Sequence, residues 1–177
     1  MTEPRDTLYT DPLSEHGLFT FDDSVARVFP DMIKRSVPGY ATIVSMTGLL
    51  AGKYAVAGSA LYDLGCSLGA STLAMRQHIQ QPDCRIISVD NSSAMLERCQ
   101  SIIDTDTHET PVTLICADVQ DVVITNAAVV ALKRSALETV LLPETLNQHR
   151  QRIAGAGFKS CDVWFQCFNF ASLVALK

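Results

Sequence analysis

The sequence has no apolar stretch approaching the roughly 18 residues that a membrane-crossing helix needs. Its opening residues, MTEPRDTLYTDPLSEHG, are polar and acidic and lack the apolar heart of a secretory signal. It also lacks any C-x-x-C pair. Cys66, Cys84, Cys99, Cys116, Cys161 and Cys167 are scattered, several of them inside apolar patterns, which argues against a disulfide framework and a zinc site. These absences point to the cytoplasm, with no membrane and no metal. An excess of basic residues is missing too: the formal net charge is -5 and the sequence pI is about 5.2. A broad electrostatic grip on nucleic acid needs a basic face, so no direct nucleic-acid binding is expected and a small-molecule ligand is favoured. His16, His78, His108 and His149 stand without partners that would suit a catalytic pair.

What the chain does have is a core. With 177 residues, 47% of them hydrophobic and 19% charged, it reads as a single globular domain, 1–177. The first part, 1–57, is expected to be a helical extension. Val25, Val28, Phe29, Met32 and Ile33 fall at helical spacing from Phe21 to Val37, with Pro30 set to kink or divide the helix. Ile43, Met46, Leu49 and Leu50 mark a second helix.

From 58 to 177 strands and helices alternate. ALYDL (Ala60 to Leu64), RIISVD (Arg85 to Asp90) and PVTLICAD (Pro111 to Asp118) are apolar strands, separated by helices over Ser71 to Ile79 and from Ser92 or Ser93 onward. Such βαβ units predict a Rossmann-like α/β fold, a mostly parallel central sheet with helices on both faces. NAAVVAL (Asn126 to Leu132) starts as a fourth strand, a helix runs through Ile153, and two C-terminal strands follow, the last antiparallel.

Three features fall at the carboxyl ends of strands, where open α/β sheets bind ligands. In LYDLGCSLGAST, Asp63 meets Gly65, Ser67 and Gly69, a tight turn whose backbone can approach a ligand, followed by a helix N-terminus favourable to a carboxylate. Asp90 stands about 20 residues beyond Gly69, the distance at which a carboxylate accepts hydrogen bonds from ribose hydroxyls. Asp118, with the backbone of Val119, suits an adenine edge. The stretch Gly65 to Gly69 also spells the G-x-S-x-G nucleophile elbow of hydrolases, with Asp118 and His149 in triad order downstream. That reading leaves Asp63 and Asp90 without a task and finds only helices before Ala60.

Together, FDDSVARVFPDMIKRSVPGY, YDLGCSLGASTL, VDNSSAMLERC and DVWFQCFNFASLVALK resemble the carboxy-S-adenosyl-L-methionine synthases from Arg5 to Lys177. The resemblance implies a class I S-adenosylmethionine-dependent methyltransferase fold turned to carboxyl transfer. A carboxyl group from prephenate passes to the methyl carbon of S-adenosylmethionine, giving carboxy-S-adenosylmethionine and phenylpyruvate for tRNA wobble uridine 5-oxyacetic acid modification, in a homodimer. It further implies that Tyr40, Gly65, Cys66, Ser67, Asp90, Asn91, Asp118 and Val119 contact the nucleoside ligand, and that Arg134, in KRSALE, holds the added carboxylate. A guanidinium fork suits that role. No general base is needed, because the group leaving prephenate takes the methyl proton. Catalysis then rests on positioning and on exclusion of water. Two rivals are a methyltransferase acting on tRNA or a small molecule, and a non-catalytic partner that binds carboxy-S-adenosylmethionine.

The resemblance breaks near Ala131. Members of that family carry several dozen more residues before the KRS motif, whereas here Val130 and Ala131 run almost directly into Lys133 and Arg134. A true deletion is expected to take a helix and a strand out of mid-sheet, so a mobile segment skipped by the written chain, near 130–134, is the favoured reading.

Overall fold

The structure is a computed structural model and describes residues 23–119, 121–124, 127–132, 145–167 and 170–176. Two helices, α1 (Asp23–Ser36) and α2 (Tyr40–Tyr54), precede the first strand. The order is then β1 (Ala60–Leu64), α3 (Ala70–His78), β2 (Arg85–Asp90), α4 (Ser93–Ile103), β3 (Val112–Cys116), β4 (Ala127–Leu132), α5 (Leu146–Gly155), β5 (Ser160–Cys167) and β6 (Phe170–Leu176). Pro30 does not divide α1, contrary to one branch of the sequence expectation. Val25, Ala26, Phe29, Met32 and Ile33 bury a continuous stripe on either side of it, and that packing holds the helix through the lost backbone hydrogen bond.

Among the described residues the sheet has the order β3-β2-β1-β4-β6-β5. The pairs β1–β2, β1–β4 and β2–β3 are parallel, and β6 runs antiparallel to both β4 and β5. β6 pairs with β4 directly through Val130–Ala175, Ala131–Val174 and Leu132–Leu173, so these two strands are neighbours in the sheet.

β1 is central, and all five of its residues are buried. Its side chains divide between two faces, as the two-residue period of a strand requires. Leu61 packs with Ala51, Met75 and Ile86 under α2 and α3, while Ala60, Tyr62 and Leu64 pack with Val89 and Phe158 on the other side. Asp63, two residues after Leu61, therefore faces α3. α2 sits close against α3: a Cβ on Gly48 would lie 2.5 Å from the Ala74 carbonyl oxygen, so glycine is what permits the approach.

Candidate functional site

The turn between β1 and α3 folds back over the end of β2. The amides of Gly65 and Cys66 both donate to the Val89 carbonyl, at 2.8 and 2.9 Å, and Gly69 N–H closes the loop on the Cys66 carbonyl at 2.8 Å. Gly69 has φ +78°, and a Cβ there would meet Cys99 Sγ at 2.6 Å. Ser67 adopts φ 51°, a left-handed conformation that costs a non-glycine residue about 1 kcal/mol or more. Its compensation is direct: Ser67 N–H donates to Asp90 Oδ2 at 2.9 Å.

Asp90 is the hub of this end of the sheet. Its Oδ1 accepts from Ser92 N–H at 3.0 Å, and Ser92 in turn caps α4 by accepting from Met95 N–H at 3.2 Å. The Asp90 carbonyl accepts from Ala117 N–H at 3.1 Å, which ties in the end of β3. Each carboxylate oxygen is thus pinned by one backbone amide and keeps a further lone pair, which is what recognition of a vicinal diol demands. Asn91 beside it is exposed, as are Asp118 and Val119 just past β3. Tyr40, half-buried at the start of α2, packs with Leu68 of the turn against the apolar face of α1.

Two expected site residues prove to be interior. Asp63 is fully buried, and so sits beneath the turn rather than on its surface with Asp90 and Asp118. Its Oδ2 accepts from the Thr72 hydroxyl at 2.7 Å, while Oδ1 has no hydrogen-bond partner; Ser71 Oγ is a second buried atom without one. Cys66 is also buried. Its hydrogen bond to Cys99, then burial and the negative charges of Asp63 and Asp90, push the thiol pKa far up, so it stays neutral and is no nucleophile. Arg134 lies outside the described residues. Among the described residues no group of His, Cys, Asp or Glu could hold a metal ion, and no helix is long and apolar enough to cross a membrane.

Thr72 and Ser88 are not singled out by the sequence. Thr72 and Ser88 share a hydrogen bond of 2.7 Å behind the turn. The signal for Ser88 was present, a hydroxyl at alternate spacing from Asp90 within an otherwise apolar strand. The place of Thr72 depends on how α3 lies on the sheet, which no local pattern reveals.

A family model described as a methyltransferase domain matches residues 61–157. The carboxy-S-adenosyl-L-methionine synthase of Citrifermentans bemidjiense is 44% identical, with 100% of each chain covered. The enzyme of that name from Aliivibrio salmonicida is 41% identical, over 97% of this chain and 98% of its own. The first alignment takes 244 positions against 177 residues here, so that relative carries residues that this chain does not. Among solved structures, an S-adenosylmethionine-dependent methyltransferase from Methanococcus maripaludis shares the fold, with a TM-score of 0.59 at 13% identity over 93% of this chain and 97% of that one. One from Aquifex aeolicus gives 0.55 at 9% identity, over 89% and 98%.

Proposed function

Because the chain belongs to the carboxy-S-adenosyl-L-methionine synthase family, we propose that it makes carboxy-S-adenosylmethionine and phenylpyruvate from S-adenosylmethionine and prephenate. It is a transferase on the class I methyltransferase fold, and S-adenosylmethionine is its small-molecule ligand. The finer parts of the reading are ours: prephenate as carboxyl donor, a cytoplasmic homodimer, a single domain over 1–177, and a place in tRNA wobble uridine modification.

The observation that carries the ligand reading is Asp90. Held at Oδ2 by Ser67 and at Oδ1 by Ser92, it is preorganised to accept both ribose hydroxyls without having to be ordered on binding. Asp118 and Val119, exposed past β3, take the adenine edge; Asn91 borders the ribose and Tyr40 the open side of the turn. Gly65, Cys66 and Ser67 supply close backbone, Cys66 through its main chain alone because its thiol points inward. Asp63 lies under the turn with one oxygen unpartnered, and its negative charge favours the cationic methionyl-sulfonium end of the ligand. These groups fit the ligand. The bound sulfonium supplies an acidified methyl group; the protein aligns it, keeps water away and, through Arg134, holds the added carboxylate.

The test is to incubate the protein with S-adenosylmethionine and prephenate and to follow products by mass spectrometry. A nucleoside heavier by one carboxyl group, appearing together with phenylpyruvate, is expected. Methyl transfer to RNA, or ligand that co-purifies but is never formed, would overturn the reading.

A further inference from the structure

Asp63 on β1 and Ser88 on β2 are register partners in the parallel sheet, so their side chains project from the same face toward α3. Thr72, in the first turn of α3, comes down between them. Its Oγ1 lies 2.7 Å from Asp63 Oδ2 and 2.7 Å from Ser88 Oγ, and all three residues are fully buried. A threonine hydroxyl has one proton. A carboxylate only accepts, so that proton goes to Asp63, and the Ser88 hydroxyl must donate to Thr72. The relay has one direction, Ser88 to Thr72 to Asp63, and it ends on a carboxylate whose other oxygen is buried with no partner.

A relay meant only for stability would satisfy both oxygens, because an unpaired buried acceptor is costly. Here one oxygen is fixed and the other left open, directly under the ligand turn. We infer that Thr72 is a positioning residue for the substrate: its hydroxyl fixes the Asp63 carboxylate beneath the turn and so sets the affinity for the amino-acid end of S-adenosylmethionine. This rests on the proposed ligand. The charge of Asp63 acts on the methionyl-sulfonium end, and Thr72 acts only through Asp63.

The test compares binding of two probes by calorimetry, S-adenosylmethionine and 5′-methylthioadenosine, which keeps the nucleoside and sulfur but has neither the amino-acid tail nor the positive charge. Thr72→Val keeps the shape and deletes the donor. It should weaken S-adenosylmethionine at least about tenfold while changing 5′-methylthioadenosine less than about twofold. Thr72→Ser restores the hydroxyl and should recover most of the affinity. At saturating S-adenosylmethionine, kcat should be unchanged in both, with the effect confined to KM for that substrate. A purely structural role would weaken both probes in parallel, and that result, or undiminished S-adenosylmethionine binding by Thr72→Val, overturns the inference. Should Thr72→Val fail to fold, Ser88→Ala removes the upstream donor alone and should give the same selective loss at a smaller size, about threefold; equal loss of both probes there overturns it as well. Asp63→Asn separates the two levels. If it binds S-adenosylmethionine like the parent protein, the charge reading itself falls. If it loses affinity while Thr72→Val does not, only the positioning role falls.

Discussion

Helix α3 ends in two very different ways. At its N-terminus the turn holds a left-handed serine, a buried carboxylate with one oxygen unpartnered and a buried serine hydroxyl with none. Two turns later, Arg76 is nearly buried and its guanidinium is committed throughout. Nε donates to the Thr110 carbonyl at 2.8 Å, one terminal nitrogen pairs with Asp106 Oδ2 at 2.7 Å, and the other donates to the His108 carbonyl. The helix together with the turn that leads into it therefore carries an end left unsatisfied and an end that is closed. The difference locates function without any ligand in view. Among the described residues, the buried polar atoms without a hydrogen-bond partner both lie at the carboxyl end of β1 and the start of α3, where a ligand can offset them, and paired groups fasten the other end of the helix.

The sharpest way to break this contrast is at Gly69. Gly69→Ala forces a side chain into a φ of +78° and brings its Cβ to 2.6 Å from Cys99 Sγ. Ligand affinity should fall at least about a hundredfold and stability by about 2–4 kcal/mol, since strain and overpacking act together. Adding Cys99→Ala clears the sulfur but leaves the φ, so the double variant should recover part of the stability and little of the affinity. Calorimetry with S-adenosylmethionine and chemical unfolding measure the two quantities. Full recovery of affinity would mean that crowding, and not the conformation of the turn, is what the glycine serves.

Arg76→Met should give the reverse profile. Methionine keeps the apolar stem and removes every donor, leaving the loop between α4 and β3 without its clamp. A loss of about 2–3 kcal/mol in chemical unfolding is expected, with S-adenosylmethionine affinity changed less than about twofold. A large loss of affinity would show that the two ends of α3 are coupled and would undo the division drawn above.

Much of this was legible in the chain itself. β1 and β2 were read with the bounds they have, because an apolar run bordered by a glycine turn or a serine cap admits few alternatives. Asp90 was placed by its distance from the glycines, and the structure makes it the junction of three elements. Asp63 was read as a strand-end ligand group, and it proved to be interior. The run ALYDL puts Asp63 on the same face as Leu61 but cannot show that α3 covers that face, because that depends on which helix lies on which side of the sheet. Thr72 and Arg76 escaped notice for the same reason: each matters through a residue more than eight positions away. Continuity of α1 through Pro30 was likewise decided by packing that local propensity does not contain.

The smallest effect lies at Asp106. Burial works to raise its pKa, but the hydrogen bond from His108, with the charges of Arg76 and His108, outweighs burial and holds the carboxyl below its ordinary value of 3.8. His108 Nδ1 lies 2.9 Å from Asp106 Oδ1. A carboxyl whose folded pKa is depressed binds fewer protons when folded than when unfolded, so its contribution to stability is complete above the unfolded value and disappears as pH falls through the folded one. The unfolding midpoint of the unaltered protein should therefore exceed that of Asp106→Asn at about pH 5, and the margin should close as the pH drops below 3.8. Repeating the comparison in the Arg76→Met background should narrow the margin, because the cation that helps to depress the carboxyl is gone. A margin that stays level with pH would mean that neutral hydrogen bonds alone hold this end of α3, and that its contrast with the turn owes nothing to charge.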